Sequence, residues 1–217
     1  MTDLAAARRN MVDGQIRTAD VTDQRLIGAM LDVPRELFVP QEMAALAYLD
    51  REVAAGAGGE RRLLRPMVLA KLIQAADIQP ADRVLVVGAS SGYAAAIVAR
   101  LGGEVFALEQ DITLARQAGD TLRAQPNVTV VTGELAYGWA AAAPYNAIVI
   151  EGATEIVPQA LCDQLSASGR LVCVLGSGPA GKATLFRRSG EEVGSRAIFD
   201  AAAPLLPGFA KPAAFVF

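Results

Sequence analysis

Val84-Leu85-Val86-Val87-Gly88-Ala89-Ser90-Ser91-Gly92-Tyr93 is the stretch that decides the fold. Four consecutive apolar residues, three of them β-branched, suit a strand buried on both faces, because a half-exposed strand would alternate apolar and polar. Gly88 and Gly92 then let the backbone turn tightly and let a ligand come close, and a helix beginning at Tyr93 offers free N–H groups at its start. A strand, a small-residue turn and a helix in this order form the first unit of an open α/β sheet.

The same rhythm continues downstream. Short runs rich in Val and Ile at 84–87, 105–108, 128–131, 147–150 and 171–175 alternate with helix-like stretches at 93–101, 112–125 and 158–167. Such alternation predicts a mostly parallel sheet covered on both faces. Residues 183–188 and 193–199, separated by Ser189-Gly190, read as an antiparallel hairpin. Upstream, the first fifty residues have helical spacing, with Leu26, Ile27 and Met30 on one face of a helix starting at Asp20 or Thr22. Residues 52–60 read as a flexible loop, and 67–76 return to helical spacing. No repeat or linker interrupts the chain. One domain over 1–217 is expected, with a helical, substrate-side part over 1–80 and a ligand-binding part over 81–217.

Composition narrows the chemistry. The chain has 217 residues and is 53% hydrophobic, enough for a full core. The uncharged stretch 135–150 holds a Gly, a Pro and an Asn and is too short to span a bilayer. The N-terminal residues lack the apolar core of a signal peptide, so no membrane partner and a cytoplasmic location are expected. A net charge of -3 argues against a nucleic-acid partner. Cys162 and Cys173 lack metal-pair spacing and read as small core residues. The chain contains no histidine, which removes Ser-His-Asp hydrolases, Cys-His proteases and His-ligated zinc.

That absence decides among readings of the Gly88 turn. Gly88-Ala89-Ser90-Ser91-Gly92 matches the hydrolase elbow G-x-S-x-G, but Ser90 has no imidazole base. The dinucleotide fingerprint G-x-G-x-x-G fails, because Ser90 takes the middle position and the third glycine is missing. An S-adenosylmethionine site remains. The next strand ends at Glu109, about twenty residues on, where a carboxylate accepts hydrogen bonds from ribose hydroxyls. Gly176-Ser177-Gly178-Pro179-Ala180-Gly181-Lys182 mimics a P-loop, but Ala183 stands where Ser or Thr binds magnesium and a strand follows instead of a helix.

Along nearly its whole length the chain resembles the protein-L-isoaspartate O-methyltransferases. Met11-Val12, Ala29-Met30, Val33-Pro34-Arg35 and Phe38-Val39-Pro40 are similar to that family's N-terminal helix and turn. Ala47-Tyr48-Leu49-Asp50 is similar to its A-Y-x-D, and 84–93 to its V-L-E-I-G-x-G-S-G-Y. Gly133-Glu134 with Gly138-Trp139 is similar to G-D-G-x-x-G-W, and Pro144-Tyr145-Asn146-Ala147-Ile148 to P-F-D-A-I. The match continues through Val157-Pro158, Gln164-Leu165 and Gly169-Arg170-Leu171-Val172. The resemblance implies a three-layer, doubly wound, seven-stranded sheet of the class I S-adenosyl-L-methionine-dependent methyltransferase type with an N-terminal helical extension. It implies that cofactor beside Gly88, Ser90, Ser91 and Gly92, its ribose near Glu109 and its adenine near Gly133-Glu134. The implied reaction is methyl esterification of the stray α-carboxylate of L-isoaspartate in damaged proteins or peptides.

The sequence also departs from the family. Where the family has Q-T-I-S-x-P, this chain has Arg61-Arg62-Leu63-Leu64-Arg65-Pro66. Leu64 takes the active-site serine's place, so the active-site segment falls on Arg62, Leu63, Leu64 and Arg65. The arginines either attract an acceptor carboxylate or form a solvated loop face. Val86 replaces an acid, Ser90 a glycine, Leu135 a glycine, and Glu151-Gly152 the usual T-A. Val86, Ser90 and Leu64 also motivate an alternative, a catalytically silent family member serving as a binding or regulatory module.

Overall fold

The computed structural model describes residues 3–56 and 61–212. Its framework is a seven-stranded sheet formed by β3 (Arg83–Val87), β4 (Glu104–Glu109), β5 (Val128–Thr132), β6 (Tyr145–Thr154), β7 (Leu165–Leu175), β8 (Lys182–Ser189) and β9 (Glu192–Asp200). The strand order is β5-β4-β3-β6-β7-β8-β9, parallel from β5 to β7 and antiparallel over the last three. The expected hairpin is present, with Ser189 opposite Glu192. A further pair, β1 (Val53–Ala54) and β2 (Arg62–Leu63), is antiparallel, with β1 inside the stretch 52–60 expected as a loop and β2 just beyond it; residues 57–60 fall outside the described residues.

The period-two geometry of the strands sorts their side chains into two cores. Val84, Val86, Val105, Ala107, Ala147 and Val149 face one side, under α1 (Leu4–Met11), α2 (Gln24–Asp32), α3 (Pro66–Ala76) and α4 (Tyr93–Val98). Leu85, Val87, Leu108, Ile148, Ile150 and Cys173 face the other, under α6 (Gln159–Cys162), the turns around Leu135 and Trp139, and Phe209. The N-terminal helices share the first core with the sheet strands. Between β4 and β5, α5 (Ile112–Thr121) is capped by Asp111, whose carboxylate accepts from the N–H groups of Thr113 and Leu114.

Some boundaries differ from the sequence expectations. Helix α2 starts after Asp23, which caps it, whereas Asp20 adopts a left-handed turn (φ 62°). The helix expected over 158–167 shrinks to Gln159–Cys162, because Leu165 already pairs with Tyr145 in the sheet. The Gln164 side chain bonds the Trp139 N–H and the Tyr137 carbonyl and is committed to that turn. Ladder pairing and loop satisfaction override local helical spacing here. Phe209 is buried within the chain itself, while 213–217 lie outside the described residues.

Candidate active site

Strand order reverses between β4 and β6, the two neighbours of β3. In open α/β sheets this switch point, at the carboxyl ends of the strands, is where ligands bind. The Val87–Ile150 pairing places Gly88 beside Glu151, and the Val87–Leu108 pairing places it near Glu109.

Gly88 (φ 76°) and Gly92 (φ 101°) take left-handed conformations, as the turn requires. Ser90 lies there too (φ 55°), at a cost of about 1–2 kcal/mol for a residue with a Cβ. Its N–H donates to Glu109 Oε2 at 2.7 Å, which helps hold it there. Its Oγ is buried without a partner. The Ser91 hydroxyl donates to the Phe38 carbonyl and ties the turn to the N-terminal segment.

Glu109 is 1% exposed and closes β4. Besides Ser90, its carboxylate accepts from the N–H groups of Gln110 (2.8 Å) and Asp111 (3.0 Å) and from Arg61 Nη2 (2.9 Å). Arg61 also covers Gly88: a Cβ on Gly88 would lie 2.9 Å from that same Nη2 and 3.0 Å from Leu206 Cδ1. Leu206 is brought there by the returning C-terminal segment, bonded on both sides of Ala153. That return depends on Gly152, where a Cβ would meet Leu206 Cγ at 2.5 Å.

The wall opposite Glu109 is polar and buried. Arg35 is fully buried, with Nε on the Ala47 carbonyl (2.8 Å), Nη2 on the Leu64 carbonyl (2.7 Å) and its guanidinium 4.7 Å from the Tyr93 ring centre. Among the described residues Arg35 Nη1, the Tyr93 hydroxyl and both Glu151 oxygens make no hydrogen bond of good geometry, although Arg35 lies close to Tyr93 and the Leu64 backbone lies close to Glu151. Burial pushes the Glu151 carboxyl up to about 8, although the Arg35 and Arg61 guanidiniums pull the other way. Burial also raises Tyr93 above the usual phenol range.

Glu151 therefore folds preferentially in its neutral form. Below the unfolded carboxyl's pKa both states are protonated and it costs nothing; from there up to about pH 8 stability falls by about 1.4 kcal/mol per pH unit. Glu151→Gln is expected to melt higher than the unaltered chain at pH 8, with the gap closing toward pH 4.5. A constant gap in thermal melts across that range would refute it.

The sequence-predicted site residues are only partly gathered. Gly88, Ser90, Ser91, Gly92 and Glu109 meet at the crevice. Gly133 lies next to it, its N–H on the Glu109 carbonyl (3.2 Å). Glu134 is exposed and lines a different surface cleft with Tyr137, Val157 and Phe209. Of the expected active-site segment, Arg62 turns to Glu52 and Arg65 to Asp50, both partly exposed. Leu63 and Leu64 are core residues. Val86 is also core, on the face beneath the helices. Arg61, Arg35, Glu151 and Leu206 form the rest of the crevice. The run of arginines and the Glu151-Gly152 departure pointed toward it, whereas nothing local marked Leu206. Burial raises Cys162 to about 11 and Cys173 to about 12, so neither is a ready nucleophile. Among the described residues no cluster has the makings of a metal site, and no helix is long and apolar enough to cross a membrane.

The family model described as Protein-L-isoaspartate(D-aspartate) O-methyltransferase (PCMT) matches residues 6–200. The chain is 41% identical over 186 residues to the protein-L-isoaspartate O-methyltransferase of Methylorubrum extorquens (strain PA1), covering 85% of this chain and 80% of that protein. To the protein of the same name from Roseiflexus castenholzii (strain DSM 13941 / HLO8) it is 37% identical over 211 residues, covering 96% and 95%. A solved protein-L-isoaspartate O-methyltransferase superposes with a TM-score of 0.80 at 22% identity, over 93% of this chain and 66% of that one. A putative one from Plasmodium falciparum, in complex with S-adenosyl-L-homocysteine, gives 0.74 at 16% identity, over 92% and 97%. At these identities the two structures speak for the fold.

Proposed function

The chain belongs to the protein-L-isoaspartate(D-aspartate) O-methyltransferase family, and from that premise we propose that its switch-point crevice serves transfer of a methyl group from S-adenosyl-L-methionine to the α-carboxylate of L-isoaspartyl residues in proteins or peptides. The observation that carries the reading is Glu109: a buried carboxylate at the end of β4, oriented by three backbone N–H groups, beside the Gly88 turn.

The residues fit such a cofactor. Gly88 has no Cβ, and the groups that stand over it, Arg61 Nη2 and the Leu206 side chain, are flexible side-chain ends that a ligand can displace. The unpartnered Ser90 Oγ, Glu151 oxygens, Arg35 Nη1 and Arg61 Nε supply polar atoms in need of partners. Glu109 would accept from the ribose hydroxyls once Arg61 yields its place. Gly88 and Gly92 would let backbone approach the ligand closely, and Leu206 and Leu64 would keep water from the reacting groups.

When bound, the cofactor supplies a sulfonium whose methyl group is electrophilic. The acceptor carboxylate is already ionised at neutral pH, since its pKa is about 4. The chain therefore needs no general base, in keeping with its lack of histidine. What it must supply is alignment of the acceptor oxygen on the methyl carbon, an orientation effect. With Leu64 in the serine position, that alignment falls to the arginines and the Glu151 wall.

The test is methyl transfer from radiolabelled S-adenosyl-L-methionine to an isoaspartyl peptide, followed by alkaline treatment. Base-labile methanol that depends on the isoaspartyl linkage is expected. No release at saturating cofactor and peptide would overturn the reading.

A further inference from the structure

We propose that Arg61 is an acceptor-binding residue that changes partners: it caps Glu109 in this structure, and when a ribose takes that carboxylate the released guanidinium receives the carboxylate of the methyl acceptor. The inference rests on the function proposed above and assigns the acceptor contact that Leu64 does not provide.

Three observations carry it. The first is the count of donors on Glu109. A carboxylate has about four acceptor positions, and here four donors among the described residues use them. Three are backbone N–H groups of Ser90, Gln110 and Asp111, set by the turns after β3 and β4. Arg61 is the one side chain among them, so it is the donor that can leave without refolding a turn. The second is position. The same Arg61 nitrogen stands over Gly88 together with the Leu206 side chain, so a ligand that reaches Gly88 and Glu109 together must move both, and of the two Arg61 is the one bonded to Glu109.

The third is what surrounds Arg61 once displaced. Its side chain is only 13% exposed and its Nε is already buried with no hydrogen-bond partner among the described residues. A guanidinium released in such a place needs an anion. Arg35, whose Nη1 makes no hydrogen bond of good geometry among the described residues, acts on Glu151 as Arg61 does, so two cations there offer donors to one entering carboxylate. Glu151 is the competing anion, but burial favours its protonated form, in which it donates a hydrogen bond to a carboxylate instead of repelling it.

Cofactor and acceptor then bind cooperatively, each by the same factor, because the acceptor stabilises the Arg61 position that the cofactor requires. Titration calorimetry with S-adenosylhomocysteine, with and without an isoaspartyl peptide, tests this apart from turnover. In the unaltered chain the peptide is expected to tighten S-adenosylhomocysteine binding about tenfold, within the usual range of coupling. Arg61→Gln should bind S-adenosylhomocysteine roughly ten- to a hundredfold tighter without peptide, since no charge-assisted bond has to be broken first, and the peptide should then have no effect. Arg61→Lys keeps a cation and should retain part of the peptide effect, which separates partner exchange from a folding defect. Equal or weaker binding by Arg61→Gln, or an undiminished peptide effect, would overturn the exchange alone. No binding heat in any of the three proteins would remove the cofactor reading and this inference with it.

Discussion

Glu109→Gln is expected to lose roughly ten- to a hundredfold in affinity for S-adenosylhomocysteine. Each ribose hydroxyl that donates to a carboxylate makes a charge-assisted bond worth about 1.5–3 kcal/mol, roughly twice its neutral counterpart. The amide also presents two N–H donors where the N–H groups of Ser90, Gln110 and Asp111 already point inward. One end of the amide must face donors with a donor, or rotate and break the turn contacts. Arg61 meanwhile loses its counter-charge in a place where its side chain is 13% exposed. The variant should therefore also melt below the unaltered chain. Calorimetry reads the first effect and a thermal melt the second; affinity within threefold of the unaltered chain would show that Glu109 does not hold the ligand.

Arg35→Ala is expected to destabilise the fold by about 3–5 kcal/mol, the range for removing one member of a buried charged network. The guanidinium links the Ala47 and Leu64 carbonyls, which lie on separate segments, and its removal leaves both without a donor. It also empties a fully buried volume against the Tyr93 ring. Burial lowers the Arg35 pKa, but an arginine stays charged at neutral pH all the same, so the substitution also removes a cation that favours the ionised form of Glu151 and leaves that carboxyl protonated to still higher pH. For a chain of this size the loss corresponds to roughly 10 °C in Tm. Lysine should not restore it, because one ammonium cannot reach two carbonyls in the planar geometry of a guanidinium. A drop of less than about 2 °C would mean that neither the hydrogen bonds of Arg35 nor the volume it fills supports the fold.

The fold was largely legible in the residues. Period-two and unbroken apolar runs state which strand faces are buried, and burial on both faces implies helices on both sides. The turn at Gly88, the acid at Glu109 and the hairpin at Ser189-Gly190 are local signals, each carried within a few residues. Helix ends were less legible, as 158–167 shows, because sheet pairing by Leu165 competes with helical spacing and only the assembled sheet decides between them.

The crevice was legible on one side only. Its floor comes from one β-turn-α unit, and local pattern announces it. Its walls come from four distant segments, those of Arg35, Arg61, Glu151 and Leu206. A run of three nearby arginines looks alike in sequence, yet Arg61 turns inward to Glu109, 48 residues away, while Arg62 and Arg65 turn to surface acids. A long, flexible side chain carries no local record of its partner. The amino-acid order by itself determined the sheet, the glycine turn and the acid that closes β4, because backbone geometry and burial act over a few residues. Which charges meet inside the crevice was decided only by tertiary packing, because the energy of a buried charge depends on the neighbours that the whole fold brings to it.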